Sequence, residues 1–245
     1  MISCTLRFPR VVRSSSSRPP IKRGELVKLA FAIQMEMCLS SLQNHRTKMS
    51  PDDRIQRITN PTTPGCAGFR IREADADAAV VEGLADVLID CVEGGASVSF
   101  MAPLPRDRAV AFWRGALDAA CRKERVVLVA ENAATGQVVG TVQVVLAMPD
   151  NQPHRAEVAK MLVHRDARRR GLGGELMRAA EAVARAAGRT LLVLDTATGG
   201  DAERLYARLG WRRCGVIPGY ALLPHGGLCG TTLFYRELTG SEADA

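Results

Sequence analysis

The chain has 245 residues, enough for one large domain or for one domain with an extension. Its formal net charge of +7 comes from residues 1–66, which hold eleven Lys or Arg and four Asp or Glu, whereas residues 67–245 hold twenty-two of each. A domain without a basic excess is not expected to bind nucleic acid. Without a run of eighteen apolar residues, the chain is not expected to cross a membrane.

The seven cysteines are scattered, and no two of them form a C-x-x-C pair. A disulfide framework or a zinc site is therefore not expected, and neither His164 nor His225 has metal-ligand spacing. This cysteine pattern fits a reducing compartment, so we expect a cytoplasmic protein that binds no metal. Because Cys91, Cys121 and Cys214 have no neighbouring His, we expect them to be buried apolar residues.

Residues 1–66 form a basic segment ahead of the periodic part of the chain. Its first twenty-four residues are rich in Arg and Ser and nearly free of acids, which resembles an organellar transit peptide. A loop-like stretch at 50–68, with Met49 just before it as an alternative start, favours an extension outside the folded domain instead. We predict that residues 1–66 are mostly disordered, with room for a short helix at 24–42, and that the domain covers 67–240 with a tail at 241–245.

Hydrophobic periodicity and turn residues predict an alternation of helices and strands after this segment. The predicted elements are a strand at 69–72, a helix that begins at a cap on Asp75 and ends at Gly94-Gly95, a helix at about 105–121, strands at 125–130, 137–146 and 154–164, a helix at 172–187, a strand at 190–195, a helix at about 201–209 that stops at Gly210, and strands at about 211–217 and 231–238. A Pro/Gly-rich loop is expected between the last two strands.

The segment Arg168-Arg169-Arg170-Gly171-Leu172-Gly173-Gly174-Glu175 joins three arginines to a glycine turn at the start of a predicted helix. Glycines let a ligand approach the backbone closely, and the N–H groups of a first helical turn have no partner within the helix. The helix dipole and the guanidinium groups add positive potential. This pattern predicts a site for a phosphorylated ligand.

A dinucleotide-binding fold is the alternative, because Gly171 opens a helix and Asp195 ends the next strand. Leu176 occupies the third glycine position of that motif, and residues 164–170 separate the preceding strand from the glycines. Residues 196–245 are too few for the second half of a doubly wound sheet. These features count against a dinucleotide-binding fold.

The Arg-x-x-Gly-x-Gly spacing resembles the acetyl-coenzyme A pyrophosphate loop of the GNAT acetyltransferases. The resemblance covers roughly 69–238 and includes, in the same order, residues 157–174, the strand that ends Leu-Val-Leu-Asp195, and Leu205-Tyr206-Ala207-Arg208-Leu209-Gly210-Trp211, which is similar to the family's Leu-Tyr-x-x-x-Gly-Phe signature. Segments 90–100 and 216–221 resemble the tabtoxin-resistance branch of the family.

The resemblance implies an α/β (α+β) GNAT fold, with a mixed, mostly antiparallel sheet of about seven strands and about four flanking helices. It also implies acetyl transfer from acetyl-CoA to an amine by direct attack in a ternary complex. Backbone N–H groups of the loop would hold the pyrophosphate, residues 161–163 would bind the pantetheine arm like an added strand, and an N–H near Val163 would stabilise the oxyanion. The implied cofactor-binding residues are Met161, Leu162, Val163, Arg168, Arg169, Arg170, Gly171, Leu172, Gly173, Gly174 and Glu175.

Proton transfer to the leaving thiolate is assigned by the resemblance to Tyr206, which matches the family's acid position. The alternative is an aromatic core residue packed on Leu209. Asp195, at the end of the predicted strand beside the cofactor strand, is a candidate general base or a binder of the substrate ammonium.

Glu157 is the first candidate for the general base. Regular alternation in the strand predicts a face formed by Glu157, Ala159, Met161 and Val163, on which a carboxylate would be partly desolvated and suited to accept a proton. A salt bridge with Arg155 or Lys160 is the structural alternative. A water chain would let either carboxylate act without touching the amine.

The resemblance places the acceptor between the loop of the first two helices and the last β-hairpin. The residues offered there are Asp90, Glu93, Phe100, Trp113, Tyr220 and His225. Carboxylates with aromatic rings suit a small cationic amine, such as an amino-acid-like metabolite or antibiotic, and a resistance function would follow. Acetylation of a protein lysine or N-terminus, and acetyl-CoA binding without turnover, remain alternatives. We expect a monomer or homodimer.

Overall fold

The computed structural model describes residues 68–238, which form one seven-stranded sheet covered by helices on both faces. The predicted extension at 1–66 and the tail at 241–245 lie outside the described residues. No helix within 68–238 is both long and apolar enough to cross a membrane. The predicted element order is confirmed, with one short 3-10 helix added between the fourth strand and the third helix.

The elements follow the periodic segments of the sequence closely. They are β1 (Phe69–Glu73), α1 (Ala78–Glu93), α2 (Arg106–Cys121), β2 (Arg125–Asn132), β3 (Val138–Val145), β4 (Arg155–Val163), a 3-10 helix (Arg165–Ala167), α3 (Leu172–Ala186), β5 (Leu191–Ala197), α4 (Asp201–Arg208), β6 (Arg212–Leu222) and β7 (Leu228–Glu237).

The strands lie in the order β1-β2-β3-β4-β5-β7-β6, and all neighbours are antiparallel except β4 and β5. This mixed sheet with four α-helices confirms the predicted fold class, and it is not the parallel sheet of a dinucleotide-binding fold. The parallel pairing of β4 with β5 runs only from Arg155↔Leu191 to Glu157↔Val193. Since both strands continue beyond these pairs, their carboxyl ends diverge and leave a cleft in the sheet.

Each face of the sheet has its own apolar core. Helices α1 and α2 cover one face, where Leu84, Leu88 and Trp113 are fully buried. Helix α3 covers the other face together with α4, around Leu176 and Met177. The sheet therefore separates two cores, and the cleft between β4 and β5 lies in that sheet.

Strand β4 changes its facing residues part-way along. The register with β3 shifts by one residue between Thr141 and Gln143, and Lys160 has a left-handed backbone with φ 50°. This β-bulge breaks the alternation of side chains. Met161 and Val163 pack on the α3 face, whereas Leu162 belongs to the α1/α2 core.

The bulge overturns the predicted single face of Glu157, Ala159, Met161 and Val163. Before the bulge, Ala156 and Val158 are the residues in the α3 core, so Glu157 points to the α1/α2 side. Regular alternation was the assumption that failed, because one extra residue in a strand moves every later side chain to the other face.

Three smaller expectations are also wrong. Helix α1 is capped by Asp77, whose carboxylate accepts from the Ala79 N–H at 2.7 Å, and not by Asp75. The loop expected between strands at 211–217 and 231–238 is mostly strand, because β6 continues to Leu222 and β7 begins at Leu228. Cys121 and Cys214 are exposed, since they lie at a helix end and on the edge strand, and only Cys91 of the three is buried.

Candidate active site

The start of α3 lies directly after the diverging end of β4. Gly171 is the N-cap residue, with a left-handed φ of 81°, and Arg169 is also left-handed at φ 62°. A Cβ on Gly173 would lie 3.0 Å from Leu205 Cδ2, so a side chain at this position would crowd Leu205. The first N–H groups of this 15-residue helix lack partners within the helix, which is an arrangement that favours an anionic ligand.

The three arginines before this turn point in different directions. Arg168 donates from Nε to the Val163 carbonyl at 2.9 Å and reaches back toward Asp90. Arg169 is 87% exposed and lies 3.7 Å from an Asp201 carboxylate oxygen. Arg170 stacks over the Phe69 ring at 4.4 Å. Of the three guanidinium groups, Arg169 is thus the one most exposed to a ligand.

Among the other residues predicted to bind the cofactor, several side chains have internal roles. Leu172 is buried in the α3 core, and Glu175 forms an ion pair with Arg178 at 2.6 Å. The Val163 carbonyl accepts from Arg168 and from the Cys91 thiol, whose pKa is raised by burial. These residues contribute to the site mainly by fixing the backbone around it.

Asp90 braces the loop from the α1 side. Its buried carboxylate accepts from the Arg165 backbone N–H at 2.9 Å and forms an ion pair with the Arg165 guanidinium. His164 lies 3.6 Å from the same carboxylate, and its ring accepts from the Asp166 N–H, so His164 caps the 3-10 helix. Asp90 thus holds the loop in place, and it is not among the residues that line the cavity between the α1–α2 loop and the last hairpin, where acceptor residues were predicted.

A cavity of about 290 Å³ lies on the α1/α2 side at the carboxyl end of β5. Its wall comes from the α1–α2 loop, from β5 and from the β6–β7 hairpin. The lining residues are Ser97, Ser99, Phe100, Met101, Asp195, Ala197, Tyr220, Ala221, Leu222, Cys229, Gly230 and Thr231. The cavity lies between the α1–α2 loop and the last hairpin, which is where the resemblance to the GNAT family predicts the acceptor site.

Two of the six predicted acceptor residues, Phe100 and Tyr220, line this cavity. Trp113 does not, because it is fully buried in the α1/α2 core, packed edge-on against Phe112. Glu93 is exposed at the end of α1, where its backbone carbonyl contacts the His225 ring at 3.0 Å. The predictions for Trp113, Glu93 and His225 as lining residues are wrong, since these residues hold the surrounding elements together.

Asp195 is the one carboxylate in the cavity wall. Its Oδ2 accepts a hydrogen bond from Thr231 Oγ1 at 3.0 Å, which fixes the orientation of the group. The Thr196 carbonyl lies 3.1 Å from the same Oγ1 and is a second acceptor for its single proton. An oriented carboxylate in a small cavity can bind an ammonium or accept its proton.

Glu157 and Lys160 lie on the same side of β4, set back from the cavity. Burial lowers the pKa of the Lys160 ammonium, against the opposing charges of Asp195 and Glu157. Lys160 Nζ donates to Ser99 Oγ at 3.3 Å and lies 5.7 Å from the Phe112 ring centroid. Glu157 is thus placed within a charged cluster that reaches the cavity through Lys160 and Asp195.

Tyr206 is buried on the α3 side between Trp211 and Phe234, with ring centroids 6.1 Å and 5.9 Å away. Burial raises the pKa of the phenol above its ordinary value, and the negative charge of Asp195 adds to the rise. The phenol therefore stays protonated at neutral pH, as a proton donor must. Tyr206 also packs on aromatic core residues, as its alternative assignment to the core predicts. The residue therefore combines a protonated phenol with a position in the core.

Lys160, Ser99 and Thr231 are functional candidates that the sequence analysis missed. Lys160 was treated only as a salt-bridge partner, because a bulge cannot be read from alternation in one strand. The serine-rich run before Phe100 was the available signal for Ser99, since Ser97 and Ser99 both face the cavity. Thr231 faces the same side as Asp195, which follows from the pairing of Ala197 with Thr231.

Comparisons with known proteins agree with this geometry. Residues 123–213 match the family model described as the acetyltransferase (GNAT) domain. An N-acetyltransferase from Staphylococcus aureus Mu50 is 17% identical with a TM-score of 0.59, and it covers 71% of this chain and 100% of its own. The ribosomal-protein-alanine N-acetyltransferase from Brucella melitensis is 23% identical with the same TM-score, covering 69% and 99%.

A third similar structure is yncA from Salmonella typhimurium, determined with its cofactor acetyl-CoA. It is 22% identical, covers 72% of this chain and 97% of its own, and has a TM-score of 0.59. At these identities the structural matches establish the fold. The chain thus has the fold of the GNAT acetyltransferases, and residues 123–213 match the model of that acetyltransferase domain.

Proposed function

We propose that this enzyme transfers the acetyl group of acetyl-CoA to the amine of a small molecule by direct attack in a ternary complex. The observation that carries the proposal is the pair of sites at the carboxyl ends of β4 and β5. A helix N-terminus suited to a pyrophosphate lies on one side, and a cavity of about 290 Å³ containing a carboxylate lies on the other. The cleft where the strands diverge would connect them.

The residues present fit acetyl-CoA as the acetyl donor. Gly171 forms the left-handed turn at the N-cap of α3, and the dipole of this helix favours negative charge at this end. Beyond its three paired residues, β4 presents an edge that an extended chain such as pantetheine can follow. Arg169 is the exposed cation beside this seat.

Tyr206 is the proposed acid for the leaving thiolate. A phenol that is kept neutral by burial can donate its proton in the transition state and recover it afterwards from solvent. The aromatic contacts to Trp211 and Phe234 hold the ring in one orientation. Less conformational entropy is therefore lost when the phenol and the thiolate come together.

Asp195 and Glu157 are the two candidates for the group that accepts the amine proton in this proposal. Asp195 lines the cavity, which supports its assignment to ammonium binding. Glu157 is close enough to Lys160 for its charge to act on that ammonium, and in this proposal a water molecule carries the proton to it. We assign ammonium binding to Asp195. Either carboxylate is a candidate for the general base, and substituting each of them separately distinguishes the two.

A small acceptor is favoured over a protein acceptor because the cavity is bounded on three sides by the α1–α2 loop, β5 and the β6–β7 hairpin. The hairpin also contacts the loop directly, since the Ala102 N–H donates to the Pro224 carbonyl at 3.0 Å and Ser97 Oγ to the Leu222 carbonyl at 3.3 Å. A protein chain would need an open groove at this point. An amino-acid-like toxin, and hence a resistance function, is one member of the proposed acceptor class.

The test is a thiol-release screen of small amines with acetyl-CoA, run beside a screen of peptides with free N-termini or lysines. We expect turnover with one or more small amines and product acetylated on nitrogen by mass spectrometry. Turnover with peptides alone would overturn the small-molecule proposal. Tight binding of acetyl-CoA by calorimetry without turnover on either panel would indicate a binding module instead.

A further inference from the structure

Lys160 and Ser99 are two of the four non-glycine residues in 68–238 with positive φ, at 50° and 77°. They come from the β4 bulge and from the α1–α2 loop, and their side chains are joined by the 3.3 Å hydrogen bond from Nζ to Oγ. Non-glycine residues rarely adopt this conformation, and it persists only where the surrounding structure holds it. Two such residues contact each other at the wall of one cavity, and we look for a functional role of this contact.

The ammonium of Lys160 is held in place but lacks a direct counter-ion. Among the described residues, no carboxylate oxygen lies within the 4.0 Å of an ion pair with Nζ. Its one hydrogen-bond acceptor there is Ser99 Oγ, and an ammonium has three N–H donors. A partly desolvated ammonium with donors left over favours an anionic ligand.

The cavity thus has a fixed anion and, beside it, a fixed cation. Asp195 is in the wall and is oriented by Thr231, while Lys160 reaches the wall through the cavity-lining Ser99. Three charged groups act on Lys160. The negative charges of Asp195 and Glu157 raise the pKa of its ammonium, and the positive charge of Arg125 lowers it. A ligand that matches this arrangement carries a cation and an anion a short distance apart.

We infer that the acceptor is a small amino carboxylic acid, whose ammonium is bound at Asp195 and whose carboxylate is bound by Lys160. This inference rests on the proposed function and narrows its acceptor class. Lys160 is then a specificity-determining residue that distinguishes an amino acid from its uncharged amide. The burial of the ammonium supports this role, because a charge-assisted hydrogen bond is stronger away from water.

The test compares free L-amino acids with the matching L-amino acid amides as acceptors, with acetyl-CoA as donor. The readout is the ratio of kcat/KM for acid over amide, which cancels changes that affect both acceptors equally. Lys160→Met removes the charge, and Lys160→Arg keeps it. Lys123→Met is the matched control, because Lys123 is exposed and has the same left-handed backbone, with φ 61°.

We expect the wild-type enzyme to prefer the acids by about 10-fold or more, and Lys160→Met to lower the ratio by roughly 10- to 100-fold. Lys160→Arg should keep most of the preference, and Lys123→Met should match the wild type. An unchanged ratio in Lys160→Met, or a wild-type preference for amides, would overturn the inference while the proposed function stands. If neither series releases thiol while other small amines do, the inference fails and the proposed function stands. If acetyl-CoA binds by calorimetry but no small amine releases thiol, both fail.

Discussion

The contact between Asp90 of α1 and Arg165 of the 3-10 helix fastens the loop that precedes α3 to helix α1. The Asp90 carboxylate accepts the Arg165 backbone N–H at 2.9 Å and pairs with its guanidinium. Asp90 is 8% exposed, whereas the Arg165 side chain is half exposed. The interaction therefore anchors the loop by a buried acceptor and a partly solvated donor.

Asp90→Ala should lower the free energy of unfolding by about 2–3 kcal/mol, because it leaves a backbone N–H and a guanidinium without their acceptor. It should also weaken acetyl-CoA binding, since the loop loses its brace. Urea unfolding and calorimetry measure the two effects. Asp86→Ala, on the same helix, removes a half-exposed ion pair with Arg106 and should cost at most about 1 kcal/mol. Equal losses for the two variants would contradict the bracing role.

Gly171→Asp should abolish detectable acetyl-CoA binding, because a carboxylate would enter the space of the pyrophosphate and repel it. The left-handed φ of 81° adds about 1–2 kcal/mol of strain. Gly188→Asp is the matched control, since Gly188 has φ 71° after the other end of α3, with no atom within 4 Å of an added Cβ. Calorimetry should show lost binding for Gly171→Asp alone. Retained affinity there would refute the loop assignment.

A chain that begins at Pro64 should fold and bind acetyl-CoA as well as the full chain does. The sheet and all four helices lie within 68–238, and residues 67–245 carry equal numbers of acidic and basic residues. The urea midpoint and the calorimetric affinity of the shortened chain measure this. A shortened chain that does not fold would show that the domain boundary at residue 67 is wrong.

The elements of this fold were predictable because their signals are local. Apolar spacing defines α1, α2 and α3, and Gly210 ends α4 with φ 79° as a glycine after a helix commonly does. The glycine turn at Gly171 was predictable for the same reason. These signals depend on the chemistry of a few neighbouring residues and need no knowledge of the partner strands.

The side-chain composition of the site was less predictable, because it depends on contacts between distant elements. The bulge at Lys160 arises from the pairing of β4 with β3, and it reverses which residues share a face. Trp113 has the composition of a binding residue but packs in the core. Asp90 has the charge of an ammonium binder but neutralises a nearby arginine. Sequence alone does not distinguish these outcomes.

Tyr206→Phe should lower kcat by roughly 10²- to 10⁴-fold with little change in acetyl-CoA affinity, if the phenol protonates the thiolate. Because burial raises the pKa of this phenol above its ordinary value near 10, it stays protonated throughout the range below pH 10. An alkaline fall in rate below pH 10 therefore belongs to another group and should persist in the variant.

The measurement for Tyr206 is a pH profile of kcat for the wild type, Tyr206→Phe and Tyr235→Phe. Tyr235 is a half-buried tyrosine on β7 whose hydroxyl pairs with Arg212, so it controls for the loss of a phenol elsewhere. Wild-type rates in Tyr206→Phe would show that the residue is an aromatic core residue only.

Asp195→Asn should raise the acceptor KM by roughly 10- to 100-fold, because the amide cannot form the charge-assisted hydrogen bond that the carboxylate offers to an ammonium. Glu157→Gln should lower kcat with a smaller effect on the acceptor KM, since Glu157 does not line the cavity. Thr231→Val removes the hydroxyl that orients Asp195 at 3.0 Å and contacts the Thr196 carbonyl, but it keeps the carboxylate. It should therefore shift the KM in the same direction as Asp195→Asn but less.

The pH profiles of these variants decide which carboxylate is the base. Loss of the acidic limb of kcat in Glu157→Gln alone would make Glu157 the base and Asp195 the ammonium binder. Loss of that limb in Asp195→Asn alone would make Asp195 the base and leave Glu157 with a structural role beside Lys160. If both variants keep wild-type rates on a saturating acceptor, neither carboxylate receives the proton. Catalysis would then depend on positioning by the backbone of the cleft.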